Sequence, residues 1–136
     1  MKIWKMRIAV FFTLVALMGL TSVWCYAEEV ARIRPEALKK LIESNDPSIL
    51  VVDVQPQKAY VLGHIKGAVN FPWVLDIKDV GNLPSDKTLV LYCDCPHEED
   101  AEDMADKLKK KWGYTKIKLL EGGWSGWQKL GYPIEK

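Results

Sequence analysis

Two cysteines separated by Asp94, Cys93 and Cys95, follow the run Thr88-Leu89-Val90-Leu91-Tyr92 and precede Pro96, His97, Glu98, Glu99 and Asp100. A cysteine attacks sulfur or binds metal as its thiolate, so the first question is what would lower its pKa. The apolar, β-branched and aromatic run reads as a strand. Beyond the acids, Ala101, Met104, Ala105, Leu108 and Trp112 keep the i, i+3, i+4, i+7, i+11 spacing of one apolar helix face. Strand, thiol-bearing loop, helix: this order puts Cys93 at the carboxyl end of a strand and beneath a helix N-terminus. Unpaired backbone N–H groups and the helix dipole favour an anion there. Taken alone, the stretch fits a reactive Cys93, a Cys93–Cys95 disulfide, or two small residues ending a strand. With His97 it also holds three soft ligands suited to Cu(I) or Zn. The sequence supplies no fourth ligand, and no metal is assigned.

The elements that position this loop alternate along the chain. Val30-Ala31-Arg32-Ile33 reads as a short strand. Pro35 suits the first turn of a helix, and Ala37, Leu38, Leu41 and Ile42 give that helix a buried face, ending near Asn45-Asp46-Pro47. Ile49 to Val54 is an almost continuous apolar run, the mark of a strand covered on both faces. A short helix is expected from Gln57 to Leu62, stopped by Gly63. A strand over Gly67 to Pro72 and a polar loop from Asp79 to Lys87 follow. Lys116 to Leu120 alternates as a strand, and Gly122-Gly123 turns the chain into a last helix with Trp124, Trp127 and Leu130 on one face. This alternation predicts an α/β three-layer sandwich with a mainly parallel sheet. Ligands of such sheets bind outside the carboxyl ends of the strands, where Cys93 stands.

A length of 136 residues allows one domain, and 49% hydrophobic with 27% charged residues is ordinary for a packed core. The N-terminus differs in kind. Lys2, Lys5 and Arg7 precede an apolar stretch from Ile8 to Leu20, and Cys25-Tyr26-Ala27 puts small residues first and third before Glu28. That is the layout of a cleavable signal peptide. Residues 1–27 are expected to be the signal and 28–136 the mature domain, exported to the periplasm or another extracytoplasmic space. The alternative is an uncleaved membrane anchor, because Ile8 to Trp24 is near the lower length limit for spanning a bilayer. A lipoprotein site at Cys25 is opposed by bulky Val23 and Trp24. The segment holds three of the 19 basic and none of the 18 acidic residues. The remainder is slightly acidic, without a basic patch for nucleic acid.

Val52-Asp53-Val54 and Tyr60-Val61-Leu62-Gly63-His64-Ile65-Lys66-Gly67-Ala68-Val69-Asn70-Phe71-Pro72 together resemble the first signature of rhodanese-like domains. Leu89-Val90-Leu91-Tyr92-Cys93 resembles the strand that carries the persulfide-forming cysteine of that family. Gly113-Tyr114, Leu120-Glu121-Gly122-Gly123-Trp124-Ser125-Gly126-Trp127 and Gly131-Tyr132-Pro133 resemble its closing signature. These short motifs run in the family's order from about Val30 to Ile134. The resemblance implies a rhodanese-like fold and a sulfurtransferase that carries sulfane sulfur as a persulfide on Cys93 and passes it to a thiol or other nucleophile. It implies no organic cofactor. Its partners would be a small sulfur donor and a thiol acceptor, or a sulfur-carrying protein. The backbone of Asp94, Cys95, His97, Glu98 and Glu99 would form the substrate loop, with Asp53, His64, Gly122 and Gly123 as structural residues nearby.

The chain departs from the family pattern at several places. The usual arginine two residues after the strand aspartate is Gln55, and the usual acid before the aromatic is Ala59. Pro96 removes an N–H donor from the loop. Glu98, Glu99 and Asp100 are expected to place negative charge at the mouth and disfavour thiosulfate. The related phosphatases need an arginine six residues after the cysteine, where this chain has Glu99, so phosphatase and arsenate reductase chemistry are excluded. Cys95, His97 and Glu98 are accessory candidates; His64 reads as a structural hydrogen-bonding residue below the loop. Trp73, Trp112, Trp124 and Trp127 read as core or lid packing. Three classes of function stay open: sulfurtransferase, a thiol-redox or binding module using the Cys93/Cys95 pair, and a metal carrier.

Overall fold

A computed structural model describes residues 29–136. The segment read as a signal peptide lies outside them. Among the described residues eleven elements follow one another: β1 (Arg32–Ile33), α1 (Pro35–Glu43), β2 (Ile49–Asp53), α2 (Gln57–Tyr60), β3 (His64–Ile65), β4 (Val69–Asn70), β5 (Thr88–Tyr92), α3 (Glu99–Trp112), β6 (Ile117–Leu120), α4 (Gly123–Lys129) and β7 (Ile134–Glu135).

The main sheet has the order β1-β6-β5-β2-β4, and every pairing in it is parallel. The central strand, β5, is hydrogen-bonded to β2 from Ile49↔Thr88 to Asp53↔Tyr92, and to β6 on its other side. Successive side chains of a strand point to opposite faces, and both faces of β5 are covered. Leu89 and Leu91 pack with Met104, Ala105 and Leu108 of α3. Val90 and Tyr92 pack with Leu38 of α1 and with Trp124 and Trp127 of α4. The continuous apolar run is therefore explained by a three-layer sandwich, as the sequence predicts.

The apolar face expected for α3 is buried at Ala101, Met104, Ala105 and Leu108, and Gly113 (φ 72) closes the helix in the left-handed conformation. Three expectations need correction. The strand over Gly67 to Pro72 is reduced to Val69–Asn70, while His64–Ile65 pairs antiparallel with Ile134–Glu135 in a separate two-stranded sheet. Leu130 does not share the buried face of Trp124 and Trp127: α4 ends at Lys129 and Leu130 is 47% exposed. Trp73 is on the surface, where its indole N–H donates to Asp103 Oδ2 at 2.6 Å and Lys107 lies over its ring.

Candidate functional site

Cys93 is the first residue past β5 and is buried, with 2% of its surface exposed. It is fixed there by the start of α4. The Trp124 amide donates to the Cys93 carbonyl at 2.9 Å. A Cβ on Gly123, whose φ is +52, would stand 2.5 Å from the same carbonyl oxygen. Both the backbone conformation and the close approach therefore demand glycine at this position.

The loop after Cys93 is tied to α4 at two further points. Ser125 Oγ donates to Asp94 Oδ1 at 2.6 Å, and the Gly122 amide donates to Glu98 Oε1 at 2.7 Å. Glu98 itself is a left-handed residue (φ 62) that precedes α3, and its other carboxylate oxygen pairs with Arg32 of β1. A β-turn-like bond from the Glu98 amide to the Cys95 carbonyl at 3.3 Å closes the loop. Within this frame Cys93 and Cys95 form a disulfide, with their Cα atoms 5.5 Å apart.

A cavity of about 440 Å³ opens over the loop. Cys93, Asp94, Cys95, Pro96 and Glu98 form one wall; Gly122, Ser125, Gly126 and Lys129 form the other. Ser125 and Lys129 are four residues apart on α4, which puts them on the same helix face. Neither was singled out as a site residue from the sequence, and neither was Arg32; the i, i+4 spacing after the glycine pair is the signal that would have found the first two.

The acidic loop is not the bare negative mouth that its composition suggests. Of the three acids, only Glu98 lines the cavity, and Arg32 compensates it. Glu99 turns back on the loop, accepting the His97 amide at 3.1 Å as well as its own, and these bonds hold its carboxyl below the usual range. The expected backbone cradle is correspondingly narrower. The amides of His97, Glu98 and Glu99 are spent on bonds within the loop and Pro96 has none, which leaves those of Asp94 and Cys95 for a ligand. His97 is exposed and does not line the cavity. Among the described residues, no cluster of three or more His, Cys, Asp or Glu side chains is placed to hold a metal ion. The Cys93, Cys95 and His97 set is not brought together as one.

Beneath the loop lies a buried polar network. Tyr92 Oη donates to Asp53 Oδ2 at 2.6 Å and accepts the Ile65 amide at 3.1 Å. Asp53 also takes the Gln55 amide at 2.8 Å and the Gln55 side chain at 3.2 Å. Gln55 thus fills the place of the family's arginine with a neutral partner, which avoids burying a cation. Burial pushes the Asp53 carboxyl up against the opposing pull of these bonds; burial, followed by the bond to Asp53, pushes the Tyr92 phenol far up. His64 stacks on Tyr60 with ring centroids 3.8 Å apart, and its Nδ1 bonds the Tyr60 carbonyl at 3.0 Å. It does not line the cavity.

A parallel sheet, a cysteine closing its central strand and a glycine-led helix packed on that cysteine together match a known pattern. The family model of the rhodanese-like domain matches residues 34–130. The chain belongs to the rhodanese-like domain family. It is 32% identical over 92 residues to the HTH-type transcriptional regulator Rv0324 of Mycobacterium tuberculosis, covering 65% of this chain and 38% of the regulator. It is 26% identical to the thiosulfate:glutathione sulfurtransferase of Saccharomyces cerevisiae, covering 71% of this chain and 76% of that enzyme. It is also 26% identical to the sulfur carrier protein TtuD of Thermus thermophilus, covering 80% and 49%. The chain therefore spans less than half the length of the regulator and of the sulfur carrier. Among solved structures, the BH2092 protein of Bacillus halodurans superposes with a TM-score of 0.71 at 28% identity, over 77% of this chain and 76% of that one. The family match and the relatives named as a sulfurtransferase and a sulfur carrier support a sulfurtransferase-type function at the level of the family.

Proposed function

We propose that the domain carries sulfane sulfur as a persulfide on Cys93 and hands it to a thiol. The observation that carries this reading is the position of Cys93: buried at the carboxyl end of the central strand, pinned by α4, and opening on a single cavity wall of the loop. In the disulfide form the thiol is blocked, so the cycle starts with reduction by a dithiol, which supplies two electrons and two protons. The Cys93 thiolate then attacks the sulfane sulfur of the donor. The bond between that sulfur and the rest of the donor breaks, and its electron pair leaves with the donor. An acceptor thiolate attacks the outer sulfur of the persulfide and returns Cys93 as a thiolate. Lys129, which lines the cavity with the cysteines, supplies positive charge toward an anionic donor.

Donor choice follows from the charges. Asp94 lines the cavity and the loop has lost an N–H donor at Pro96, so the dianion thiosulfate is a weaker donor than a small-molecule or protein-borne persulfide. The acceptor is a small thiol or a sulfur-carrying protein. Reduced Cys95→Ser protein, in which no disulfide with Cys93 can form, gains the mass of one sulfur on exposure to donor, and cyanide removes it; the Cys93→Ser variant gains none. A Cys95→Ser protein that stays unmodified with every donor shows that the domain is not a sulfur carrier.

A second reading, a thiol-redox module, is favoured by one observation, the Cys93–Cys95 disulfide itself. It predicts exchange with thiols and no stable gain of sulfur. The disulfide also supports export, since such bonds persist in oxidising compartments. We place the mature protein outside the cytoplasm, beginning at Glu28; N-terminal sequencing that finds Met1 retained in a membrane fraction would overturn this.

A further inference from the structure

We infer that Cys95 is a resolving cysteine, so that sulfur loaded on Cys93 leaves as sulfide rather than only by transfer to an outside thiol. The inference rests on Cys93 as the sulfur carrier. Its basis is which sulfur each attacker can reach. Cys93 is buried, so an external thiol meets the outer sulfur of its persulfide first. Among the described residues, Cys95 is the thiol within bonding reach of the Cys93 sulfur, to which it is joined in the disulfide. In an extended chain, residues i and i+2 point the same way, and the bend of the loop shortens their Cα separation to 5.5 Å, inside the range that a disulfide needs.

The approach does not depend on the sulfur–sulfur bond. Cys95 sits between two anchors that involve neither sulfur: Asp94 on Ser125 and Glu98 on Gly122 and Arg32. Both tie the loop to α4 and β1 through atoms that reduction of the cysteines does not alter. Cys95 is also partly buried against the core side of the loop, together with Cys93. The intramolecular attack therefore starts from a preset geometry, while an outside acceptor must diffuse in.

The step balances without a further oxidant. The Cys95 thiolate attacks the inner sulfur of the protonated Cys93 persulfide. The Cys93–Cys95 bond forms, the bond between the inner and outer sulfurs breaks, and the outer sulfur leaves with the electron pair as hydrosulfide. The sulfane sulfur is reduced by two electrons and the two thiols are oxidised by two. The product is the disulfide seen in the structure, and a dithiol reductant reopens it for the next turn.

A single-turnover experiment separates the steps. Protein reduced with dithiothreitol and then freed of it is mixed anaerobically with thiosulfate, and in parallel with glutathione persulfide. With thiosulfate, sulfite counts loading and sulfide counts release. Wild type is expected to release about one sulfide per protein and to finish lighter by two hydrogens, turning over again only when dithiothreitol is restored. Cys95→Ser should instead accumulate cyanide-labile sulfur, with sulfide release slowed by at least about tenfold; Cys95→Ala should do the same. A wild-type protein that retains its persulfide as long as Cys95→Ser does, with Cys95 still a free thiol and no disulfide formed, overturns the resolving role and leaves the sulfur-carrier reading intact. Failure of both Cys95 variants to load from either donor overturns the carrier reading, and the inference with it.

Discussion

If the domain takes sulfur as proposed, the pairing of Glu98 with Arg32 sets how the cavity treats an anionic donor, and this can be tested by charge. Glu98 lines the cavity with 12% of its side chain exposed, while Arg32 reaches it from β1 with 33% exposed. Removing the guanidinium with Arg32→Gln leaves a carboxylate uncompensated beside the donor. Two unit charges about 5 Å apart at an effective dielectric near 20 interact by about 3 kcal/mol. Solvent at the open face and the motion of the arginine reduce that to about half, or about 1.5 kcal/mol. Thiosulfate carries two charges and an alkyl hydropersulfide anion carries one, so the dianion feels the change twice. The ratio of kcat/KM for thiosulfate over the hydropersulfide should therefore fall by about tenfold, since about 1.4 kcal/mol is one decade.

Glu98→Gln provides the converse. Its amide oxygen still accepts the Gly122 N–H, so the loop anchor is kept while the charge is lost. The same ratio should rise severalfold, and the Arg32→Gln/Glu98→Gln double variant should return close to wild type. Steady-state rates with both donors, in low salt and in about 0.5 M salt, give the answer; the effects should shrink in high salt because the pair is partly exposed. If Arg32→Gln slows both donors equally, Arg32 acts by holding the loop and not by neutralising charge. If the ratio is unchanged in every variant, the acidic loop does not choose the donor.

Other expectations follow from single contacts. Gly123→Ala should cost at least about 2 kcal/mol of stability, from left-handed backbone strain and a Cβ driven into the Cys93 carbonyl, read as a lower urea midpoint. Trp127→Ala, which empties a fully buried site and strips the indole bond to the Pro133 carbonyl, should cost about 3–5 kcal/mol by the same measure. Asp53 has a folded-state pKa raised by burial, so the native state holds its proton longer than the unfolded chain and stability falls as pH rises through that window. The stability of wild type minus that of Asp53→Asn should therefore decrease from about pH 4 toward pH 7, because asparagine does not titrate; denaturation at several pH values checks the slope.

What the sequence makes legible is local, and what it hides is long-range. The order strand, thiol, helix and the buried face of α3 are written in periodicities of a few residues, and the structure reproduces them. The β3–β7 pair has two residues per strand, which leaves no period to detect, and its partners are joined only by the tertiary fold. Leu130 keeps the i+3 step from Trp127, but the helix ends before it, and a periodic pattern says nothing about the residue at which the backbone leaves the helix. The direction of the acids is the case that bears on function. Composition places Glu98, Glu99 and Asp100 beside the cysteines, yet the charge of a carboxylate at a mouth depends on what lies opposite, and Arg32 is 66 residues away in sequence. Glu98 binds both that cation and the Gly122 amide. Its charge is thereby used to hold the loop, and the loop so held is the one that keeps Cys95 within reach of Cys93. An acidic residue that sequence alone reads as repelling the substrate is held by a cation and a backbone amide, so the proposed donor preference and the proposed fate of the sulfur turn on the same side chain.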